Sequence, residues 1–305
     1  MEHACPICDE TRRQPLYRTR DRHYNIPGEW TVAKCVGCGL VQIHPMLTTE
    51  KLMSMYPTDF YAYTDQRRVD LRENGFIHKV KRALFSSLHV QDPVWTSPGR
   101  ILDSGCGTGW SLLKFRSLGW ECIGVEPSDA AAYRGRQLYN LDIRGGTIHT
   151  ERFPEEHFKY IRSNHSLEHD PDCGATIREF HRVLRKDGRL LIGVPNIDSL
   201  PAKCFGRYWY YLGVPVHTYS FSLKHLSGLL SRYGFEIESI RYTGNYHGII
   251  GSLQIYVNRN KPRATSQDGW LINSRSCWVI GQIVAIILNR MRCGDAVEVI
   301  AKRVA

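Results

Sequence analysis

Between residues 98 and 243 the hydrophobic positions follow two rhythms in turn. Compact apolar runs bounded by turn residues read as strands: "RILDSG" (100–105), "ECIGVEP" (121–127), "LDIRGG" (141–146), "FKYIRSN" (158–164), "GRLLIGVPN" (188–196) and "FEIESIRYT" (235–243). Between them, apolar residues recur at helical spacing in "WSLLKFRSLG" (110–119), "SDAAAYRGRQLYN" (128–140), "CGATIREFHRVLR" (173–185) and "SLKHLSGLLSRYG" (222–234). Gly119 closes the first of these helices, and Ser128 is placed to cap the second. "DAVEVIAKR" (295–303) alternates and reads as a last strand. Strands alternating with helices of ~10–15 residues predict βαβ units and a parallel, doubly wound sheet.

The flanks have other textures. Residues 1–62 are rich in Cys, Pro and Tyr, with short strand-like pieces such as "WTVAKC". Residues 66–90 carry helical spacing inside a connector, 63–97, and the turn-rich "QDPVWTSPGR" (91–100) leads into the first strand. Residues 244–294 separate the final two strands, and "SCWVIGQIVAIILNRMRC" within them is apolar on nearly every face. The expected organisation is a small module at 1–62, a helical connector at 63–97, the α/β domain at 98–243, a helical insertion or lid at 244–294, and the closing strand at 295–305.

In a doubly wound sheet, ligands bind at the carboxyl ends of the strands near the point where strand order reverses. The first strand–helix turn is "DSGCGTG" (103–109), with glycines at 105, 107 and 109. A dinucleotide fingerprint would place its third glycine at 110, where Trp110 stands, and the Gly-Lys-Ser/Thr of a phosphate loop is absent. A turn this bare lets the backbone approach a ligand that brings no phosphates. The second strand ends in Glu126, whose carboxylate can accept from two ribose hydroxyls. An adenosyl ligand without pyrophosphate fits both features.

"LDSGCGTG" with "VEPS" resembles the class I S-adenosylmethionine-dependent methyltransferases, and the resemblance continues through "HSLEH" (165–169), "FHRVLRKDGRLLIGVPN" (180–196) and "LLSRYGFEIESI" (229–240). It implies a Rossmann-like sheet of seven strands with the last one antiparallel, and S-adenosylmethionine as methyl donor. By this resemblance Gly105, Gly107 and Gly109 line the methionine and ribose part, with Cys106 in the same loop. Asp103 positions the loop or the amino group, and Glu126, followed by Pro127, holds the ribose. Gly146–Thr147 and Asn164–His165 lie near the adenine and the methyl donor. The chain departs from the pattern at "GGTIHT", which lacks the Asp that often reads the adenine amine, and at Lys159, where an Asp is usual.

Ten cysteines invite a disulfide reading, but "MEHACPICDE" is polar and no secretory leader is expected, so a reducing, cytoplasmic setting is. "CPIC" (5–8) and "CVGC" (35–38) are C-x-x-C knuckles whose four thiolates, Cys5, Cys8, Cys35 and Cys38, can close a tetrahedral Zn²⁺ site. Four cysteine ligands leave no open position, so one structural zinc is expected. "CPIC…CVGCGLVQIHP…YPTDFYAY" is similar to the zinc-ribbon module found ahead of methyltransferases of sugar and glycan pathways. In the sugar C-methyltransferases a Tyr-x-Glu-His motif supplies a basic His. Here "SLEH" keeps Glu168 and His169 but has Ser166 for the Tyr, and the further C-terminal domain of those enzymes is not expected. Methylation of a sugar or glycan hydroxyl is therefore expected over methylation of carbon.

An oxygen acceptor needs a general base, for which His is the usual choice. The candidates are His165 at a strand's carboxyl end, His169 four residues on, and His217 in "GRYWYYLGVPVHTYSFS" (206–222), with Glu168 to orient a His or hold a sugar hydroxyl. Trp209, Tyr210 and Tyr211 in the same stretch offer flat faces for an acceptor.

The net charge of +10 is uneven: residues 241–305 hold nine Lys and Arg against three Asp and Glu. Beside the apolar run at 277–289, too short to span a bilayer, this leaves two readings of 244–294: first a helix that completes the core or a dimer interface, and second a lid or foot in peripheral contact with the inner membrane face or a lipid-linked glycan. An RNA methyltransferase and a zinc-ribbon adaptor without catalysis are the competing readings. The first is disfavoured because "SNHS" stands where many amino-directed enzymes have an Asn-Pro-Pro-Tyr-type motif, and because the basic excess lies outside the ribbon. The second is disfavoured by the intact glycine turn. No feature of the sequence sets an oligomeric state.

Overall fold

The computed structural model describes residues 3–56 and 97–304, so the connector helix expected at 66–90 lies outside the described residues. Its main body is a seven-stranded sheet. In chain order the strands are β4 (Arg100–Ser104), β5 (Glu121–Glu126), β6 (Asp142–Gly145), β7 (Phe158–Asn164), β8 (Leu184–Pro195), β10 (Phe235–Tyr242) and β11 (Ala296–Arg303). Their spatial order is β10-β11-β8-β7-β4-β5-β6. All run parallel except β11, which pairs antiparallel with both β8 and β10. Strand order reverses at β4, between β5 and β7, and the cleft described below opens there.

Both faces of the sheet are covered, which is why its strands read as near-continuous apolar runs. Leu102, Val125, Ile161, Ile192 and Val299 face a core closed by α5 (Cys173–Val183) and α7 (Leu223–Arg232). Their neighbours Ile101, Tyr160 and Leu191 face the other side, under α2 (Leu112–Ser117) and α3 (Asp129–Tyr139). The helix starts follow their caps. Ser128 accepts from the Ala131 N–H, Asp172 from that of Ala175, and Ser222 forms a reciprocal box with His225. One boundary differs from expectation. β8 begins at Leu184, not Gly188, because Leu184 already pairs with Phe158 across a register irregularity, and α5 stops at Val183.

The N-terminal residues form β1 (Arg13–Thr19), β2 (Trp30–Cys35), β3 (Val41–His44) and the short α1 (Thr49–Met53). Their antiparallel sheet takes its fourth strand, β9 (Tyr219–Ser220), from the α/β domain. Val32, Val41 and Ile43 pack on Ala202, Trp209, Leu212 and Val214, and Cys5, Cys35 and Leu40 belong to the same buried cluster as the main sheet. Arg232 of α7 grips the Asp9 carboxylate at 2.7 Å and the Ile7 carbonyl at 3.0 Å.

Residues 244–294 form a wide turn (His247–Gly251), α8 (Ser252–Val257), α9 (Trp270–Asn273) and α10 (Arg275–Arg290), with α4 (Ile148–Glu151) and α6 (Leu200–Phe205) earlier in the chain. α10 packs inward through Gly281, Ala285, Leu288 and Asn289, while Ile280, Ile283, Ile287 and Met291 face outward beside Arg290 and Arg292. Among the described residues, no helix is long and apolar enough to cross a membrane.

Candidate active site

The cleft at the switch point encloses about 980 Å³, counting its open mouth. Its floor is the glycine turn. Gly105 has φ +73°, and a Cβ there would collide with Ser166 Oγ, so this position needs glycine. Gly107 lines the cleft and donates its N–H to Glu126 Oε2 at 2.8 Å, while Ser128 N–H donates to Oε1 at 2.9 Å. Burial pushes the Glu126 pKa up, and these two N–H groups pull against that rise. Each oxygen keeps a second lone pair for a ligand hydroxyl. Pro127, Gly146 and Thr147 extend this wall, and His165 and His169 stand on the other.

Six residues expected at the ligand sit behind the lining. Asp103 is sealed in an ion pair with Arg162 at 3.2 Å, both side chains being 6% exposed, and it accepts from Ser111 Oγ at 2.5 Å. Its part is to anchor the turn. Cys106 is buried against Gly124 of β5, and Gly109 (φ +74°) abuts Ile143 at 2.6 Å from where a Cβ would stand. Both are packing positions. Asn164 Oδ1 lies against Gly193 of β8. Glu168 is 1% exposed, and His217 stands beyond His169, their rings edge to face with centroids 4.6 Å apart.

The aromatic stretch also divides. Trp209 is buried with Nε1–H donating to Asp295 at 2.7 Å, so it supports the core and offers no acceptor platform. Tyr211 stacks on His165 at 6.4 Å, and Tyr210 packs on His23 and His247.

His165 is held in an unusual backbone state, φ +53°, at the end of β7. Its Nδ1 faces Glu168 Oε1 at 3.3 Å. Burial alone would lower the His165 pKa, but the hydrogen bond and charge of Glu168, helped by Glu298, outweigh it and raise it. Burial lowers His169 to about 4 and His217 to about 3. His169 Nδ1 lies 3.0 Å from the Val216 carbonyl and 2.7 Å from Tyr56 Oη.

Sequence reasoning missed a wall from the N-terminal residues: Thr49, Leu52 and Met53 of α1, and Tyr56, line the cleft. It also missed Arg162, for which a cation inside the apolar run "FKYIRSN" was the available signal.

At the cysteine cluster, Cys5 and Cys38 Sγ are 3.5 Å apart, as are Cys8 and Cys35, and all four lie within 4.8 Å of one another. Zinc–thiolate bonds of ~2.3 Å in a tetrahedron space the sulfurs ~3.8 Å apart, so the residues fit a structural zinc. Each knuckle closes with a left-handed residue, Asp9 (φ 60°) and Gly39 (φ +84°).

The sheet order, the glycine turn and the acidic end of β5 define an α/β domain of the S-adenosylmethionine-dependent methyltransferase class. A family described as a methyltransferase domain matches residues 76–240, over half of the 305 residues, and the chain belongs to it. It is similar to the uncharacterized methyltransferase YcgJ of Bacillus subtilis (strain 168), with 32% identity over 99 residues, covering 30% of this chain and 39% of that one. It is 26% identical over 156 residues to the malonyl-[acyl-carrier protein] O-methyltransferase of Yersinia pestis, covering 50% and 58%. Among solved structures it is similar to an S-adenosylmethionine-dependent methyltransferase from Mesorhizobium loti, with 17% identity and a TM-score of 0.47 over 72% of this chain and 96% of that one. The chain spans 39% to 58% of the length of these two curated relatives.

Glu126→Ala is expected to weaken S-adenosylmethionine binding, since up to two ribose hydrogen bonds to a charged acceptor are lost, at most ~1.5–3 kcal/mol each. The Gly107 N–H also loses its acceptor. Calorimetry showing unchanged affinity would remove Glu126 from the site.

Proposed function

We propose that the protein transfers the methyl group of S-adenosylmethionine to a hydroxyl of a sugar, a nucleotide-linked sugar or a lipid-linked glycan. The observation that carries this reading is the His165–Glu168 pair, whose His165 lines the same cleft as Gly105, Gly107 and Glu126. A sulfonium donor brings an electrophilic methyl, so the protein's tasks are alignment, exclusion of water and removal of a proton. Glu168 occupies Nδ1 of His165 and leaves Nε2 to take the hydroxyl proton. As the oxygen bonds the methyl carbon, the electron pair of the breaking C–S bond stays on sulfur, which leaves as a neutral thioether. The structural zinc would be held by Cys5, Cys8, Cys35 and Cys38, remote in role from this step.

A lipid-borne acceptor is supported by α10. Its outward Ile280, Ile283 and Ile287 lie between Arg275 and Arg290, suited to an anionic bilayer surface. The test offers S-adenosylmethionine with nucleotide-linked sugars, with glycolipids in anionic vesicles, and with ribosomal RNA, and follows the mass gained on methylation. Methylation of a sugar acceptor is expected. Transfer to RNA alone, or none in any arm by a protein that binds the donor, would overturn the reading.

A further inference from the structure

Around His169 of the cleft lining lies a second group of potential metal ligands, unrelated to the cysteines. Glu168, His169 and His217 each offer one ligand atom, and these atoms lie within 4.8 Å of one another.

Two features mark the group as more than packing. His217 Nδ1 lies 2.9 Å from the Tyr211 carbonyl, and His169 Nδ1 lies 3.0 Å from that of Val216. A carbonyl can only accept, so each Nδ1 carries the hydrogen, and Tyr56 Oη shares that of His169. Each ring is left with its Nε2 lone pair, and a carbonyl that takes the other ring N–H is what usually fixes a ligating histidine. The other feature is Glu168. Its side chain is 1% exposed and Oε1 serves His165, yet among the described residues Oε2 has no hydrogen-bond partner. A buried carboxylate oxygen left without a partner is costly, and a cation against it would offset that cost.

We infer that Glu168, His169 and His217 bind a divalent cation that holds the acceptor's oxygen at the cleft. Two imidazoles and a carboxylate suit ions that favour nitrogen and oxygen, and three protein ligands leave positions open for substrate oxygens. His169 lines the cleft, so those positions can face the acceptor. A cation there would lower the pKa of a bound hydroxyl while His165, on the other oxygen of the same carboxylate, receives the proton. This role rests on the acceptor reading above. The site itself does not.

The experiment is a Mn²⁺ titration of protein carrying one equivalent of zinc per chain by metal analysis, so that the cysteine cluster is filled and the second group left open, following the electron paramagnetic resonance signal of free Mn²⁺. Mn²⁺ favours oxygen donors, accepts imidazole beside them and competes poorly for thiolates, so the cysteine cluster stays out of the measurement. One tightly bound ion per chain is expected, weakened at least ~10–100-fold by Glu168→Gln and by His217→Ala, since losing a ligand should cost no less than losing a group that only orients one. Glu126→Ala should bind Mn²⁺ normally. Calorimetry with S-adenosylmethionine on Glu168→Gln and His217→Ala, and a melting temperature for Glu126→Ala, report folding and keep the two ideas apart. A wild-type protein that fails to bind the donor sinks the methyltransferase reading. A wild-type protein that leaves the Mn²⁺ signal unchanged, or folded Glu168→Gln and His217→Ala variants with undiminished affinity, overturns the metal site.

Discussion

Cys35→Ser is expected to release one zinc per chain and to destabilise the protein by at least ~3 kcal/mol, out of the ~10–16 kcal/mol that structural zinc contributes in small zinc-finger peptides. The damage should be uneven. The knuckles at 3–12 and 35–40 are held by the cluster, by contacts such as Arg232 with Asp9, and by Cys5, Cys35 and Leu40 in the core, and only the first of these is lost outright. β2 and β3 keep their packing on Trp209, Leu212 and Val214, and their pairing with β9. Hydrogen exchange should therefore rise most in the knuckles, less in β2 and β3, and least in β4, β5, β7 and β8. An independent domain would lose its fold without consequence elsewhere. Here Cys5, Cys35 and Leu40 share a core with Tyr219, Phe221 and Leu226, so a lower melting temperature of the whole chain is expected. Metal analysis of reductively prepared protein that finds no zinc would sink the assignment.

The difference between an attached module and an integrated one was not visible in the sequence, for a physical reason. β9 is two residues long, and its pairing with β3 spans more than 170 positions, so no local pattern announces it. α1 has five residues, too few for a hydrophobic period, although it supplies a wall of the cleft. The main sheet was legible because strands covered on both faces must be apolar along their length, and Ile101–Leu102 shows each face claiming one neighbour. The glycine turn was legible because its backbone demands positive φ at Gly105, Gly107 and Gly109. Which of its residues touch a ligand was not, because that depends on packing partners distant in sequence: Arg162 for Asp103, Gly124 for Cys106, Ile143 for Gly109. β8 began earlier than read because the exposed Arg185, Lys186 and Asp187 interrupt the apolar run while the backbone stays extended.

His165→Ala is expected to lower turnover ~10²–10⁴-fold while S-adenosylmethionine affinity stays nearly intact, the mark of a lost general base. Three histidines compete for that role, and their partners separate them. His169 and His217 each give Nδ1–H to a main-chain carbonyl, and among the described residues neither faces a carboxylate in a hydrogen bond. Burial leaves both far weaker bases than an ordinary imidazole, at about 4 and about 3. His165 alone of the three has its Nδ1 on a carboxylate, which stabilises the cation formed when Nε2 takes a proton. The main chain is built around it. Its N–H donates to the Gly193 carbonyl at 2.8 Å, its φ of +53° turns the side chain out of the strand's line, and Thr218 fixes the main chain of Glu168 with two hydrogen bonds, at 2.8 and 2.9 Å. A structural histidine in that position would show its loss as a lower melting temperature and weaker donor binding together. A base shows it in kcat alone. If His165→Ala keeps wild-type kcat while His217→Ala abolishes it, the proton leaves through the 206–222 loop and the assignment of His165 is wrong.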